Sequence, residues 1–227
     1  MKKYLNIVLF ALFAIGCSYA QTKETRDVDD FTGVAFGVAG ELILEQGNNF
    51  AVVLEGDEDF LEEIETTVRN NKLLIRHDRW FSFGNKKVTV YITMPEVESL
   101  SVSGSGKMIA KGSIRTDNLD MGVSGSGDIE LKNLIAGSID CGISGSGTIT
   151  LDGEAEDGEL SISGSGDYYG QSFQLETLVV SISGSGTCRS AVDEDLEARI
   201  SGSGDVYYTG NPSVDARVSG SGKVRKN

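Results

Sequence analysis

From Phe31 onward, apolar and polar residues alternate through most of the chain, interrupted at regular intervals by the block Ser-Gly-Ser-Gly. The blocks begin at Ser103, Ser124, Ser144, Ser163, Ser183, Ser201 and Ser219. Immediately before them stand Val102, Val123, Ile143, Ile162, Ile182, Ile200 and Val218, all β-branched. Three residues before come Leu100, Met121, Cys141, Leu160, Val180, Ala198 and Ala216, and the positions between are mostly small or polar. After each block the same parity resumes, with Met108, Ile129, Ile149, Tyr168, Cys188, Val206 and Val224 five places past the first Ser. A period of two with one apolar face predicts strands. Each unit therefore reads as strand, Ser-Gly-Ser-Gly, strand, and a variable stretch.

The intervals between blocks are 21, 20, 19, 20, 18 and 18 residues. A repeat of that length predicts a solenoid with one coil per unit, in which stacking buries an apolar face that no coil could bury alone. Seven coils about 4.8 Å apart make a rod roughly 35 Å long. Ser-Gly runs are common in flexible linkers, but linker chemistry requires no fixed spacing. The Gly share parity with the buried residues, which predicts positions where two walls approach too closely for a side chain or where the chain turns a corner. The Ser are expected to face solvent.

Residues 31–100 read as a β-rich cap with the first coils, continuous with the repeat region 101–227 in a single all-β domain. "FGVAGELIL" at 36–44 aligns with "VSGSGKMIA" as an atypical first coil. "EDFLEEIETTV" at 58–68 has Phe60, Leu61, Ile64 and Val68 at helical spacing, which predicts one short helix. "NKLLIRH" and "KKVTVYITMP" read as strands. At the far end Lys223, Arg225 and Lys226 place charge on the last coil, which discourages edge-to-edge stacking.

The first residues have a different character. Lys2 and Lys3, an apolar run from Leu5 to Ile15 and small residues after it read as a signal peptide over residues 1–20, followed by a polar tether at 21–30. Two processing routes are open. Cleavage before Gln21 releases a soluble protein; alternatively "FAIGC" acts as a lipoprotein box with Cys17 acylated, and that lipid would be the chain's membrane attachment. An exported protein is expected in the periplasm, on the outer-membrane surface or outside the cell. The net charge of −14 argues against nucleic acid and anionic lipid as partners.

The run "DDFTGVAFGVAGELIL", then "VTVYITMPEVESLSVSGSGKM", then repeated "ISGSGD", resembles the auto-transporter adhesin head domain, or GIN domain. The resemblance covers about residues 28–225. It implies a right-handed β-helix like that of pectate lyase and an adhesive role, and it brings no catalytic residues. No translocator barrel is seen before Asn227, so a self-sufficient autotransporter is not expected.

Candidate chemistry is sparse. In the polar column after the Gly pair, Asp128, Asp167 and Asp205 are two coils apart, about 9.6 Å at the coil spacing. That is too far for shared calcium ligation and for a retaining glycosidase pair, so no clustered acids are expected and no metal or cofactor is implied. Lys107 beside Asp128 and Lys223 beside Asp205 read as surface cross-strand pairs. His77 is the only His and ends a polar strand, a poor setting for a triad. Cys141 and Cys188 fall in different apolar columns two coils apart, which predicts free core thiols. Tyr169, Arg189 and Tyr207 share an outward column on consecutive coils. They can form a cation–π ladder that either stabilises the surface or offers a platform for a sugar. Trp80, Phe81 and Phe83 either plug the end of the rod or form an exposed contact patch. The reading that follows is a non-enzymatic binding scaffold for a glycan or cell-surface protein. A polysaccharide-cleaving enzyme and a purely structural envelope protein are the alternatives.

Overall fold

The computed structural model describes residues 22–77 and 87–227. Its elements are β1 (Thr22–Arg26), β2 (Gly33–Gly37), β3 (Gly40–Gln46), β4 (Ala51–Gly56), α1 (Glu58–Glu62), β5 (Ile64–Arg69), β6 (Lys72–His77), β7 (Val88–Met94), β8 (Ser99–Gly104) and β9 (Lys107–Lys111). The repeats follow as β10 (Ile114–Gly125), β11 (Asp128–Gly145), β12 (Thr148–Gly164), β13 (Asp167–Gly184), β14 (Thr187–Gly202), β15 (Asp205–Thr209), β16 (Ser213–Gly220) and β17 (Lys223–Lys226).

Successive repeats pair in parallel and in register, block on block, so the chain is a β-solenoid. Val123 lies opposite Val102 and Ile143, Ile162 opposite Ile182, and Ile200 opposite Val218. The columns before and after the blocks fill the interior, and within them only the last coil's members leave the core. Apolar burial along these ladders stabilises at about 25 cal/mol per Å². It is continuous because each coil covers its neighbour.

The two Gly of a block do different jobs. The first makes the corner: Gly125 has φ +110°, and a Cβ there would sit 2.7 Å from the Gly104 carbonyl oxygen on the coil beneath. The second faces inward: at Gly127 a Cβ would meet Val102 Cγ1 at 2.5 Å. The corner is stitched by backbone bonds, Ser126 N–H donating to Gly104 O at 2.8 Å and Asp128 N–H to Gly106 O at 3.0 Å. The Ser side chains of the repeat blocks face solvent, as their parity predicts.

The N-terminal third departs from chain order. The coil β2–β3 stacks on β8–β9 on one side and on β6–β7 on the other. Phe36 lies opposite Val102 and Leu42 opposite Met108, the alignment expected from sequence. Beyond β6–β7 the direction reverses: β5 runs antiparallel to β6, β4 to β7, and β1 to β4. With α1 these strands close that end of the rod.

Two expectations need correction in this region. Residues 22–30 are not wholly a tether, because Thr22–Arg26 forms β1. Its polar side chains give no alternating signal, but its backbone completes the β4 edge. Lys23 Nζ lies 3.3 Å from Glu55, and Arg26 Nη2 donates to Leu61 O at 2.8 Å. The helix is also shorter than expected. Only Glu58–Glu62 is helical, opened by Asp57, whose side chain accepts from Phe60 N–H. Ile64 and Val68 belong to β5, where the β-branched run Ile64, Thr66, Thr67 and Val68 suits a strand.

Candidate binding surfaces

Two outward surfaces gather side chains able to hold a ligand. The first is the predicted ladder. Tyr169, Arg189 and Tyr207 are paired in register across β13, β14 and β15. The Arg189 guanidinium carbon lies 5.5 Å from the Tyr169 ring centroid and 5.2 Å from that of Tyr207, within cation–π range of both. Register continues the column to Arg225 on β17, and the Tyr207 hydroxyl donates to Asp205 at 3.3 Å. All three ladder residues are half-buried, so one flank packs and the other stays open.

The second surface runs along the other wall, as a groove of about 980 Å³ crossing several coils. Two columns line it. Asn118, Ser138, Asp157 and Thr177 pair in register, joined by Ser138 Oγ donating to Asn118 Oδ1 at 2.8 Å and Thr177 Oγ1 to Asp157 Oδ1 at 2.6 Å. Beside them Asp120, Asp140 and Glu159 stack on three consecutive coils. Burial, and then the charges of Glu159 and Asp120, push the Asp140 carboxyl above the usual aspartate range. At one end Gln46 fixes the rim with both halves of its amide: it accepts from Arg115 N–H at 2.8 Å and donates to Arg115 O at 3.0 Å.

This acidic column corrects the expectation that no acids cluster. The column after the Gly pair does hold its Asp two coils apart, as read. The cluster lies instead four residues before the blocks at Ser124, Ser144 and Ser163, an offset legible in the sequence once the repeats are aligned. Adjacent coils stack such residues about 4.8 Å apart at the backbone. Among the described residues no group of three or more His, Cys, Asp or Glu is gathered as metal ligands would be.

The remaining candidates fall elsewhere. Cys141 and Cys188 are free and buried; burial raises both thiols, Cys188 to about 12. His77 Nε2 lies 2.9 Å from a Glu63 oxygen, and its ring faces Phe60, a structural setting in the cap. Lys107 is in register with Asp128, but its side chain bonds Glu130 at 3.0 Å, which Lys132 also reaches at 2.9 Å. These two hydrogen bonds hold the Glu130 carboxyl below the usual glutamate range. Trp80, Phe81, Phe83, Cys17 and the signal segment lie outside the described residues.

The sequence matches the model of the family described as putative auto-transporter adhesin, head GIN domain, over residues 30–212. The chain belongs to that family. No relative was found among the curated proteins. The GIN-domain fold recurs in solved structures. A putative adhesin from Bacteroides fragilis is 22% identical with a TM-score of 0.84, over 92% of this chain and 98% of its own. A putative adhesin from Parabacteroides distasonis, also 22% identical, scores 0.76 over 92% of this chain and 98% of its own. A protein from the same species named as a putative lipid binding protein is 20% identical and scores 0.73 over 91% of this chain and 96% of its own. These likenesses establish the solenoid as the shared fold.

Proposed function

We propose that this GIN-domain protein is an exported, non-catalytic binding scaffold that holds a glycan along its acidic groove. The observation that carries the reading is the pair of polar columns there. Asn118, Ser138, Asp157 and Thr177 beside Asp120, Asp140 and Glu159 present hydroxyl, amide and carboxylate groups at a repeat of about 4.8 Å. Sugar hydroxyls donate well to carboxylates, and a rigid solenoid presents them without an ordering cost. The Tyr169–Arg189–Tyr207 ladder is a second stacking platform on the other wall. The adhesin label of the family supports a binding role. The lipid named for one structural relative offers a different ligand class, but the polarity of the groove favours sugar.

The test is a glycan array followed by calorimetry on each hit. An Asp140→Ala/Asp157→Ala variant is expected to lose binding, while Tyr169→Ala/Tyr207→Ala retains groove binding. A failure of the unmodified protein to bind any glycan would count against the proposal. The three stacked acids favour one rival, a glycoside hydrolase with Asp140 as the acid. Release of new reducing ends from polysaccharide, abolished by Asp140→Asn, would move the protein to that class. Mass spectrometry of the native N-terminus separates Cys17 acylation from release at Gln21.

A further inference from the structure

The two ends of the rod differ. The N-terminal end is closed by the antiparallel strands β1, β4 and β5 with α1. At the other end β16 pairs only with β14, and β17 only with β15. Every residue of β16 is exposed. Among the described residues, Val214 at 39% and Val218 at 42% are the large hydrophobics left exposed. Both belong to columns that are core in every preceding repeat that they align with, apart from Glu98 at the start of the Val214 column. An apolar strand edge with unpaired backbone groups is a template for another strand.

The sequence of that edge says which strand fits. Residues 213–219 of β16 read Ser-Val-Asp-Ala-Arg-Val-Ser, self-complementary about Ala216 because an acid and a base stand at mirrored positions. Laid antiparallel on itself with Ala216 on a two-fold axis, it sets Val214 against Val218, Asp215 against Arg217 and Ser213 against Ser219. The valines then meet on the core side and the charges on the outer side, each Asp215 facing an Arg217. Within one chain these two side chains already touch at 3.3 Å while 60% and 69% exposed, so both are free to be shared. The neighbouring β17, with Lys223, Arg225 and Lys226, opposes its own copy by charge, which leaves β16 as the strand that pairs.

We infer that the protein associates tail to tail through β16 with a second copy of itself, as a two-fold dimer centred on Ala216. The contact is isologous and therefore closed. The capped N-terminal ends point outward, and the two-fold contact occupies the β16 edge of both copies, so it does not propagate into a fibre. The dimer carries two grooves and two ladders on one continuous rod. It does not depend on what those surfaces bind.

Sedimentation velocity of the protein across a wide concentration series tests this. The expected result is a monomer–dimer equilibrium. Asp215→Arg alone or Arg217→Asp alone places like charges across the axis and weakens dimerisation at least tenfold, while the double exchange restores it. Circular dichroism melts confirm that each variant still folds; since both side chains are exposed, little change is expected. Independently, Ala216→Cys crosslinks to its own copy on mild oxidation only in this register. A protein that stays monomeric at millimolar concentration overturns the inference. So does association that survives both single charge reversals, or oxidation that leaves Ala216→Cys uncrosslinked, because each means another surface or register.

Discussion

The corner glycines allow the coil contact to be measured separately from backbone strain. Gly104 and Gly125 occupy the same place in consecutive blocks and both have left-handed backbone, φ +85° and +110°. A Cβ at Gly104 meets nothing within 4 Å, whereas one at Gly125 lies 2.7 Å from the Gly104 carbonyl oxygen. Gly104→Ala therefore incurs only the backbone penalty, about 1–3 kcal/mol for a non-glycine held in that region. Gly125→Ala incurs the same penalty and must also push two coils apart, a further ~1–3 kcal/mol by analogy with overpacked cores. At roughly 2–4 °C per kcal/mol for a domain of this size, Gly125→Ala should lower Tm about twice as far as Gly104→Ala. Gly122 supplies the control. Its backbone is not left-handed and its Cβ would meet Ser101 at an ordinary 3.9 Å, so Gly122→Ala should gain ~0.4–1 kcal/mol through the unfolded chain. Calorimetric melts of the three variants read the ordering directly. Equal losses at Gly104 and Gly125 would show that the coils do not touch at the corner. No loss at either would return Ser-Gly-Ser-Gly to the status of a linker.

Other consequences are equally accessible. Arg189→Ala removes two cation–π contacts worth about 0.5–1 kcal/mol each; urea denaturation should show the loss, with Arg189→Lys intermediate. Asp140→Asn should raise Tm at neutral pH. The folded Asp140 carboxyl sits above its unfolded value, so the folded state takes up the proton first. The wild type therefore gains stability as pH falls through that raised value, and the advantage of Asn fades as the carboxyl is neutralised. Melts in a pH series check both the sign and the window. Cys141 and Cys188 should resist thiol reagents in the folded protein and react in denaturant, since burial keeps both thiols inaccessible and protonated.

The solenoid was legible because a stacked repeat writes its three-dimensional neighbours into one-dimensional offsets. Val123 and Ile143 are twenty residues apart and in direct register. The same logic correctly placed the free cysteines and the Tyr169–Arg189–Tyr207 ladder. Asp120, Asp140 and Glu159 escape it because they stack four residues before the block, away from the polar position that follows the Gly pair. The Lys107–Glu130 pair was harder, since the long Lys side chain reaches diagonally past its direct opposite, Asp128. The cap resisted reading for a different reason. β1 is polar on both faces and is ordered by the edge it completes, which no pattern within 22–26 records. At 58–68 helical spacing competed with β-branched content, and pairing with β6 decided for strand from Ile64 onward.

The displaced first coil makes the N-terminal third a non-local unit, unlike the repeats. Because β2–β3 lies between β6–β7 and β8–β9, the first repeat coil rests on a coil that is itself covered only when β6 and β7 are in place. Each later coil of about twenty residues then finds a finished template directly beneath it, with its partner just upstream in the chain. Growth one coil at a time in the order of synthesis would leave only the newest edge unprotected. Shortening from the C-terminal side by whole coils leaves a shorter rod with the same kind of end. Losing β2 and β3 exposes the face of β8–β9 on which they lie.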